Sequence, residues 1–221
     1  TPTYTPTGPA YRYEMTLEAH NRNWLLALDY PAAGVGNARY TGDFQLLSWR
    51  MVRNRQRIDI TSYPHTRVGL EESPHAIRAA LRLPENRHPR TTELTQTLIA
   101  DIAQPEERLR RLIDYFRTQD FIYTLNPPLL TGDAIDGFLF ETQQGFCEHF
   151  SAAFVVMARV AGLPARVVTG YQGGEINPVD GVMIVRQSDA HAWAEVWLEG
   201  QGWQRVDPTY IANPLRIDGG L

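Results

Sequence analysis

The chain contains no lysine: all 21 basic residues are arginine, so the folded surface offers no ε-amine as a nucleophile or isopeptide acceptor. Its single cysteine, Cys147, excludes an intrachain disulfide framework, a CxxC redox pair and a Cys-rich zinc site. No apolar run approaches the ~20 residues that cross a bilayer; the longest covers residues 152–158. Positive charge is not in excess either. The formal net charge is −4, which argues against a nucleic-acid footprint. His20, His65, His75 and His88 are dispersed without ligand spacing, and Asp133 and Asp136 lack the EF-hand pattern with its terminal Glu, so no metal and no other cofactor is expected. The rest is an ordinary globular composition over 221 residues, 43% hydrophobic and 21% charged, long enough to bury one large or two small cores. The chain opens on Thr1 without the pattern of a signal peptide and reads as a piece of a longer protein. Membrane anchoring is expected only through segments absent from it.

Three stretches organise the sequence. Residues 1–10 are rich in Thr and Pro and predict a solvated, extended linker. From Tyr11 the period is two. Tyr11, Tyr13, Met15 and Leu17 alternate with polar residues, Trp24, Leu26, Leu28 and Tyr30 continue the alternation after a turn at 21–23, and shorter strand candidates lie at 44–49 and 58–63. Residues 11–88 are therefore expected to form an antiparallel β module. Past the polar, Pro-flanked connector at 84–90 the period becomes helical, and residues 89–221 are expected to form an α+β domain. A helix is predicted over 92–103. A second opens at Pro105 with Glu106 and Glu107 in its first turn and carries Leu109, Leu112, Ile113 and Phe116 on one face. A third covers about 146–162, stopped by Gly162 and Pro164. Strands at 166–171, 191–198 and 203–206 follow, so that helices pack on an antiparallel sheet.

The chemistry gathers in this second domain. Cys147 falls at the start of the third helix, where first-turn N–H groups and the positive dipole end stabilise a thiolate. In the strand 191–198, alternation puts His191, Trp193, Glu195 and Trp197 on one face. Gly200-Gln201-Gly202 turns that strand into the next, and one register sets Glu195 opposite Arg205 and Trp197 opposite Trp203. Asp207 then lies beside His191, directly or one diagonal away. A carboxylate there accepts the imidazole N–H and fixes its tautomer while the other ring nitrogen faces a thiol. His149, two residues past Cys147, diverges from it on the helix and reads as a surface or capping residue.

These residues resemble a known family. The run from Gly145 to Ala152 (GFCEHFSA), the run from Arg159 to Tyr171 (RVAGLPARVVTGY), His191-Ala192-Trp193-Ala194-Glu195-Val196, and Trp203 with Val206-Asp207-Pro208-Thr209 are similar to the nucleophile, His and Asp segments of the transglutaminase-like superfamily. The resemblance spans about residues 91–210. More narrowly, the β module resembles the extracytoplasmic part of bacterial multi-pass membrane proteins that carry a periplasmic transglutaminase domain, through patterns such as Leu81-Arg82-Leu83-Pro84.

The resemblance implies a papain-like core with Cys147 as nucleophile, His191 as general base and acid, and Asp207 as the residue that orients the imidazole. It implies acyl transfer on protein or peptide glutamine, through a Cys thioester resolved by an amine acceptor or by water, in the periplasm. A papain-like thiol peptidase or amidase, and a non-catalytic recognition module of a membrane assembly, are the alternatives. The Cys147 N–H is the natural first oxyanion donor. Gln143, Gln144 and the region of Tyr123 are open candidates for the second, and Trp193 is a candidate for the cleft wall.

Overall fold

The structure, a computed structural model, describes residues 4–32, 35 and 38–214. They fall into two units, the described part of residues 1–72 with 199–202, and that of 73–198 with 203–221.

In the first unit the two-residue alternation does form strands. Strand β1 (Tyr4–Pro6) pairs antiparallel with β7 (Thr66–Val68). The long pair is β2 (Tyr11–Leu17) against β6 (Gln56–Tyr63), with β3 (Tyr30–Pro31) on the other side of β6. A further hairpin joins β4 (Ala38–Tyr40) to β5 (Leu46–Ser48). Tyr13, Met15 and Leu17 pack against a small core of Leu25, Val35, Leu46, Val52 and Ile60. Two expectations are corrected. Residues 4–6 of the expected linker are a strand, because their backbone finds a partner in β7; residues 1–3 lie outside the described part. The run 24–30 is not one continuous strand: Trp24 makes a single bridge to Leu47, and Asn21 and Asp29 take left-handed φ values of 57° and 49° that end an extended ladder at both sides.

The second unit opens with a helix inside the span expected to be β, residues 11–88. Ser73 caps α1 (Pro74–Ala80), its hydroxyl accepting the Ala76 N–H, and Pro74 occupies the first turn where its missing N–H costs nothing. Helices α2 (Pro89–Leu98) and α3 (Pro105–Thr118) follow. Strand β8 (Ile122–Tyr123) leads through a loop to α4 (Ala134–Gly137), a π-helical turn (Phe138–Thr142) and β9 (Gln144–Gly145), which pairs parallel with β8. The two carboxylates that lacked a calcium pattern fasten helix starts. Asp133 caps α4 through Oδ1 and accepts the His88 N–H at 2.8 Å. Asp136, buried, accepts the Arg90 and Thr91 N–H groups at the start of α2, whose own cap residue supplies no side-chain bond.

Helix α5 (Cys147–Val160) is the centre of this unit. Phe150, Ala153, Phe154, Met157 and Ala158 are fully buried, and Phe150 and Phe154 interlock with Phe116, Phe121 and Phe138 at ring separations of 5.1 to 5.6 Å. Its end is a Schellman-type stop: Gly162 takes φ 77°, and the Leu163 N–H reaches the Ala158 carbonyl. The chain then builds β10 (Ala165–Tyr171), a small hairpin of β11 (Glu175–Ile176) and β12 (Met183–Ile184), β13 (Ala190–Leu198), β14 (Gly202–Val206) and α6 (Pro208–Ala212). The main sheet runs in the order β10-β13-β14, with β10 antiparallel to β13. Ala194, Val196 and Leu198 of β13 join the core with α5, and the small Ala192 and Ala194 let helix and strand approach closely. The class is α+β, helices packed on an antiparallel sheet, as the sequence predicts.

Candidate active site

The parallel bridge between β8 and β9 delivers the chain to the start of α5. Phe146, extended, stands at the cap position, and its N–H is accepted by His149 Nδ1 at 3.4 Å, so His149 serves as the cap that its spacing suggested. Desolvation lowers the pKa of His149, which favours the neutral ring that such an acceptor requires. Cys147 is the first residue of the helix, and 9% of its surface is exposed. The first N–H groups of a helix have no partner within it and point along its axis toward any charge placed there.

His191 stands near the start of β13, with only 5% of its surface exposed. Its Nε2 lies 2.7 Å from Asp207 Oδ2, and the ring also shares a hydrogen bond with the side chain of Cys147, which leaves Nδ1 as the nitrogen turned to sulfur. Asp207 divides its work. Oδ2 holds the imidazole, while Oδ1 accepts the Thr209 and Tyr210 N–H groups and so caps α6. One carboxylate thus serves both as a helix cap and as the partner of His191.

The electrostatics follow from that arrangement. Burial by itself pushes the His191 imidazole toward its neutral form. The bonds and charges of Asp207 and Cys147 outweigh it and raise the pKa to about 9. For Asp207, burial favours the protonated acid, but His191, the Tyr210 N–H and the nearby Arg205 guanidinium hold it below the usual carboxylate range. At neutral pH the site therefore carries an imidazolium between a carboxylate and a sulfur.

The remaining sequence candidates are placed differently. Gln143 closes the π-helical turn in a left-handed conformation, φ 50°, and contributes backbone: its carbonyl accepts the Ile122 N–H. Gln144 sits in β9 opposite Ile122, and Tyr123 sits in β8 opposite Gly145. Neither glutamine side chain makes a hydrogen bond among the described residues. Trp193 is beside His191, ring centroids 6.4 Å apart and planes 27° from parallel. Its Nε1 is buried without an acceptor.

Glu195 lies on the central strand of the sheet and has a cross-strand partner on β10 that the hairpin pattern does not include. This buried carboxylate receives Nε and Nη2 of Arg166, at 2.9 and 2.7 Å, from the position directly across β10, while Arg205 lies 4.1 Å above the Trp193 ring. Arg166 comes from β10, on the edge of β13 opposite to β14, and lies 29 residues earlier in the chain. Two further residues escaped the sequence reading. Ser151, one turn below Cys147, donates its hydroxyl to the Ala192 carbonyl at 2.9 Å, and Gly170 stands level with His191 on β10. A glycine inside an apolar strand was the one visible signal for the second.

A thiol at a helix start, an imidazole braced by an acid and a papain-like arrangement of helix and sheet agree with the family that matches here. Residues 92–208 match the transglutaminase-like superfamily and residues 1–69 match the TgpA N-terminal domain; the chain belongs to the transglutaminase-like superfamily. Among individual proteins, it is 40% identical over 214 residues to a Pseudomonas aeruginosa protein named protein-glutamine gamma-glutamyltransferase, covering 97% of this chain and 32% of that protein. The uncharacterized protein YebA of Bacillus subtilis is 35% identical over 145 residues, covering 62% of this chain and 20% of that one. The chain thus spans a third or less of the length of these relatives. The crystal structure of the periplasmic domain of TgpA from Pseudomonas aeruginosa superposes with a TM-score of 0.93 at 39% identity, over 98% of this chain and 75% of that one. A chain from Cytophaga hutchinsonii, 15% identical with a TM-score of 0.53, shares the fold alone.

Proposed function

We propose that this chain is a periplasmic, cysteine-dependent acyltransferase acting on glutamine side chains of proteins or peptides. The observation that carries the reading is the buried imidazole of His191, 2.7 Å from the Asp207 carboxylate and hydrogen-bonded to Cys147 at the first residue of α5. The similarity to a protein-glutamine gamma-glutamyltransferase and to a periplasmic domain supports the reaction class and the compartment.

In the proposed reaction Cys147 sulfur attacks the carboxamide carbon, and the oxyanion that forms is met by the Cys147 N–H at the helix start. His191 passes a proton to the departing nitrogen, ammonia leaves, and a thioester remains. A primary amine then adds to the thioester carbon, its proton goes to His191, and the thiolate leaves with an amide formed; water in place of the amine gives glutamate. Asp207 keeps Nε2 engaged through both halves, so that Nδ1 is always the nitrogen offered to sulfur and substrate.

The test is incubation with a glutamine donor peptide and a fluorescent primary amine. Covalent amine incorporation with release of one ammonia per adduct supports transfer. Deamidation without incorporation makes the chain a glutamine hydrolase, and cleavage of the peptide backbone makes it a peptidase. No product of any kind from wild type, with Cys147→Ala behaving identically, overturns the enzymatic reading.

A further inference from the structure

Trp193 occupies a place that its own polar atom does not explain. Its Nε1 is buried with no acceptor, which costs free energy, so the ring is held by its faces and edges rather than by its N–H. Those contacts are specific. The guanidinium of Arg205 lies 4.1 Å above the ring, a cation–π distance. The benzo edge lies against Gly170, where an added Cβ would meet Trp193 Cη2 at 2.8 Å and Cζ3 at 3.2 Å, closer than side-chain carbons approach. Gly170 has no left-handed backbone to justify a glycine; the space taken by the indole justifies it. Gly170 is also the residue opposite His191 in the β10–β13 register, and Trp193 shares the strand with His191.

We propose that Trp193 is a positioning residue for His191: clamped between Gly170 and Arg205, its indole walls one side of the imidazole and holds the ring in the plane where Nε2 meets Asp207 and Nδ1 faces Cys147. The inference rests on the reading of Cys147 and His191 as a proton-exchanging pair. An imidazole has one torsion that can swing its plane while the ring stays near its carboxylate, and a slab beside it at 27° removes that freedom. Arg205 serves twice, since the same guanidinium that caps the indole favours the ionised form of Asp207. The charged groups that bear on the imidazole are thus Asp207, Cys147 and, through the indole, Arg205.

The pH dependence of iodoacetamide alkylation at Cys147, the chain's single cysteine, reads this directly, because only the thiolate reacts and an aligned imidazolium lowers the pH at which it forms. Wild type is expected to alkylate with a midpoint well below the ~8.5 of a free thiol. Trp193→Ala is expected to move the midpoint up and to slow the reaction at pH 6 by about tenfold or more. Trp193→Phe keeps a flat ring without the N–H and is expected to stay within about threefold of wild type. Gly170→Ala, which adds one methyl against the indole, is expected to shift the midpoint in the same direction as Trp193→Ala; should Trp193→Ala fail to fold by circular dichroism, Gly170→Ala carries the test.

A folded Trp193→Ala or Gly170→Ala with an unchanged midpoint overturns the proposal while leaving the Cys147–His191 pair intact. Trp193→Phe losing as much as Trp193→Ala overturns it too, because the N–H would then be the active part. A wild type that titrates like a free thiol overturns the underlying pair reading and this proposal together.

Discussion

The hydroxyl of Ser151 donates to the main-chain carbonyl of Ala192, 2.9 Å away, with both residues buried. Ser151 is one helical turn below Cys147, and Ala192 is the residue after His191. This single bond therefore ties the helix that carries the sulfur to the strand that carries the imidazole. Ser151→Ala removes the donor without leaving a large cavity and strands a buried acceptor, a loss of about 1–3 kcal/mol in denaturant unfolding. The same variant is expected to slow Cys147 alkylation near neutral pH. An equal loss of stability with unchanged alkylation would show that helix and strand keep their relative position without the bond.

The pH behaviour of His191 has a definite sign. A folded pKa raised to about 9, against a usual value near 6.5, means that the native site favours the imidazolium. In NMR the His191 ring is expected to titrate near 9 in wild type. Asp207→Asn should bring it down, because the hydrogen bond to the Asp207 carboxylate is the strongest of the influences that raise it and the carboxylate's charge adds to it. The linkage runs the same way and is simplest to see in Cys147→Ala, where no thiol titrates in the same range. The stabilisation from the His191–Asp207 pair is complete below about 6.5 and fades as pH climbs through the folded value, so unfolding midpoints should fall on the alkaline side.

Asp207 offers a way to separate structure from chemistry. Asparagine at this position retains a side-chain oxygen for the Thr209 and Tyr210 N–H groups and so keeps the α6 cap, but it lacks the charge that faces His191. Asp207→Asn is expected to lower turnover of a glutamine donor by about 10²–10⁴ and to lose the stabilisation of the His191 imidazolium while keeping the α6 cap. Asp207→Ala loses the cap as well and should cost roughly 1 kcal/mol more. Thermal melts of the two variants beside their rates make the comparison, and equal melts would mean that the cap contributes nothing.

Local signals in the sequence reached the site and stopped short of its surroundings. The position of Cys147 at a helix start is written in the amphipathic run ending at Gly162 and Pro164, and the strands of His191 and Asp207 in the alternation around them. The brace on Glu195 was not legible, because Arg166 becomes its neighbour only when β10 comes back across the sheet. The same holds for Asp136 capping α2 from 45 residues away, and for Ser151 reaching across to Ala192. Helix α1 was missed for another reason. Its signal, Ser73 before Pro74, was present in the chain, but the alternating stretch ahead of it carried the β reading too far.

The Arg166–Glu195 pair yields the last prediction. Glu195 is one of few buried charges in the described residues, and Arg166 meets it with two nitrogens while its guanidinium also lies 4.0 Å over the Trp203 ring. The Arg166 side chain is still 22% exposed, so the pair is only partly desolvated. Removing one partner leaves a buried charge without compensation, and that asymmetry dominates the net worth of the bridge. Arg166→Met is expected to cost about 3 kcal/mol, toward the lower end for buried pairs because of the remaining solvent contact. Adding Glu195→Gln should recover a large part of that loss, since the amide no longer needs a cation. Chemical unfolding of the two single variants and the double variant gives the coupling directly. Strict additivity would mean that Glu195 finds its compensation elsewhere on the sheet, and the role assigned to Arg166 would fall.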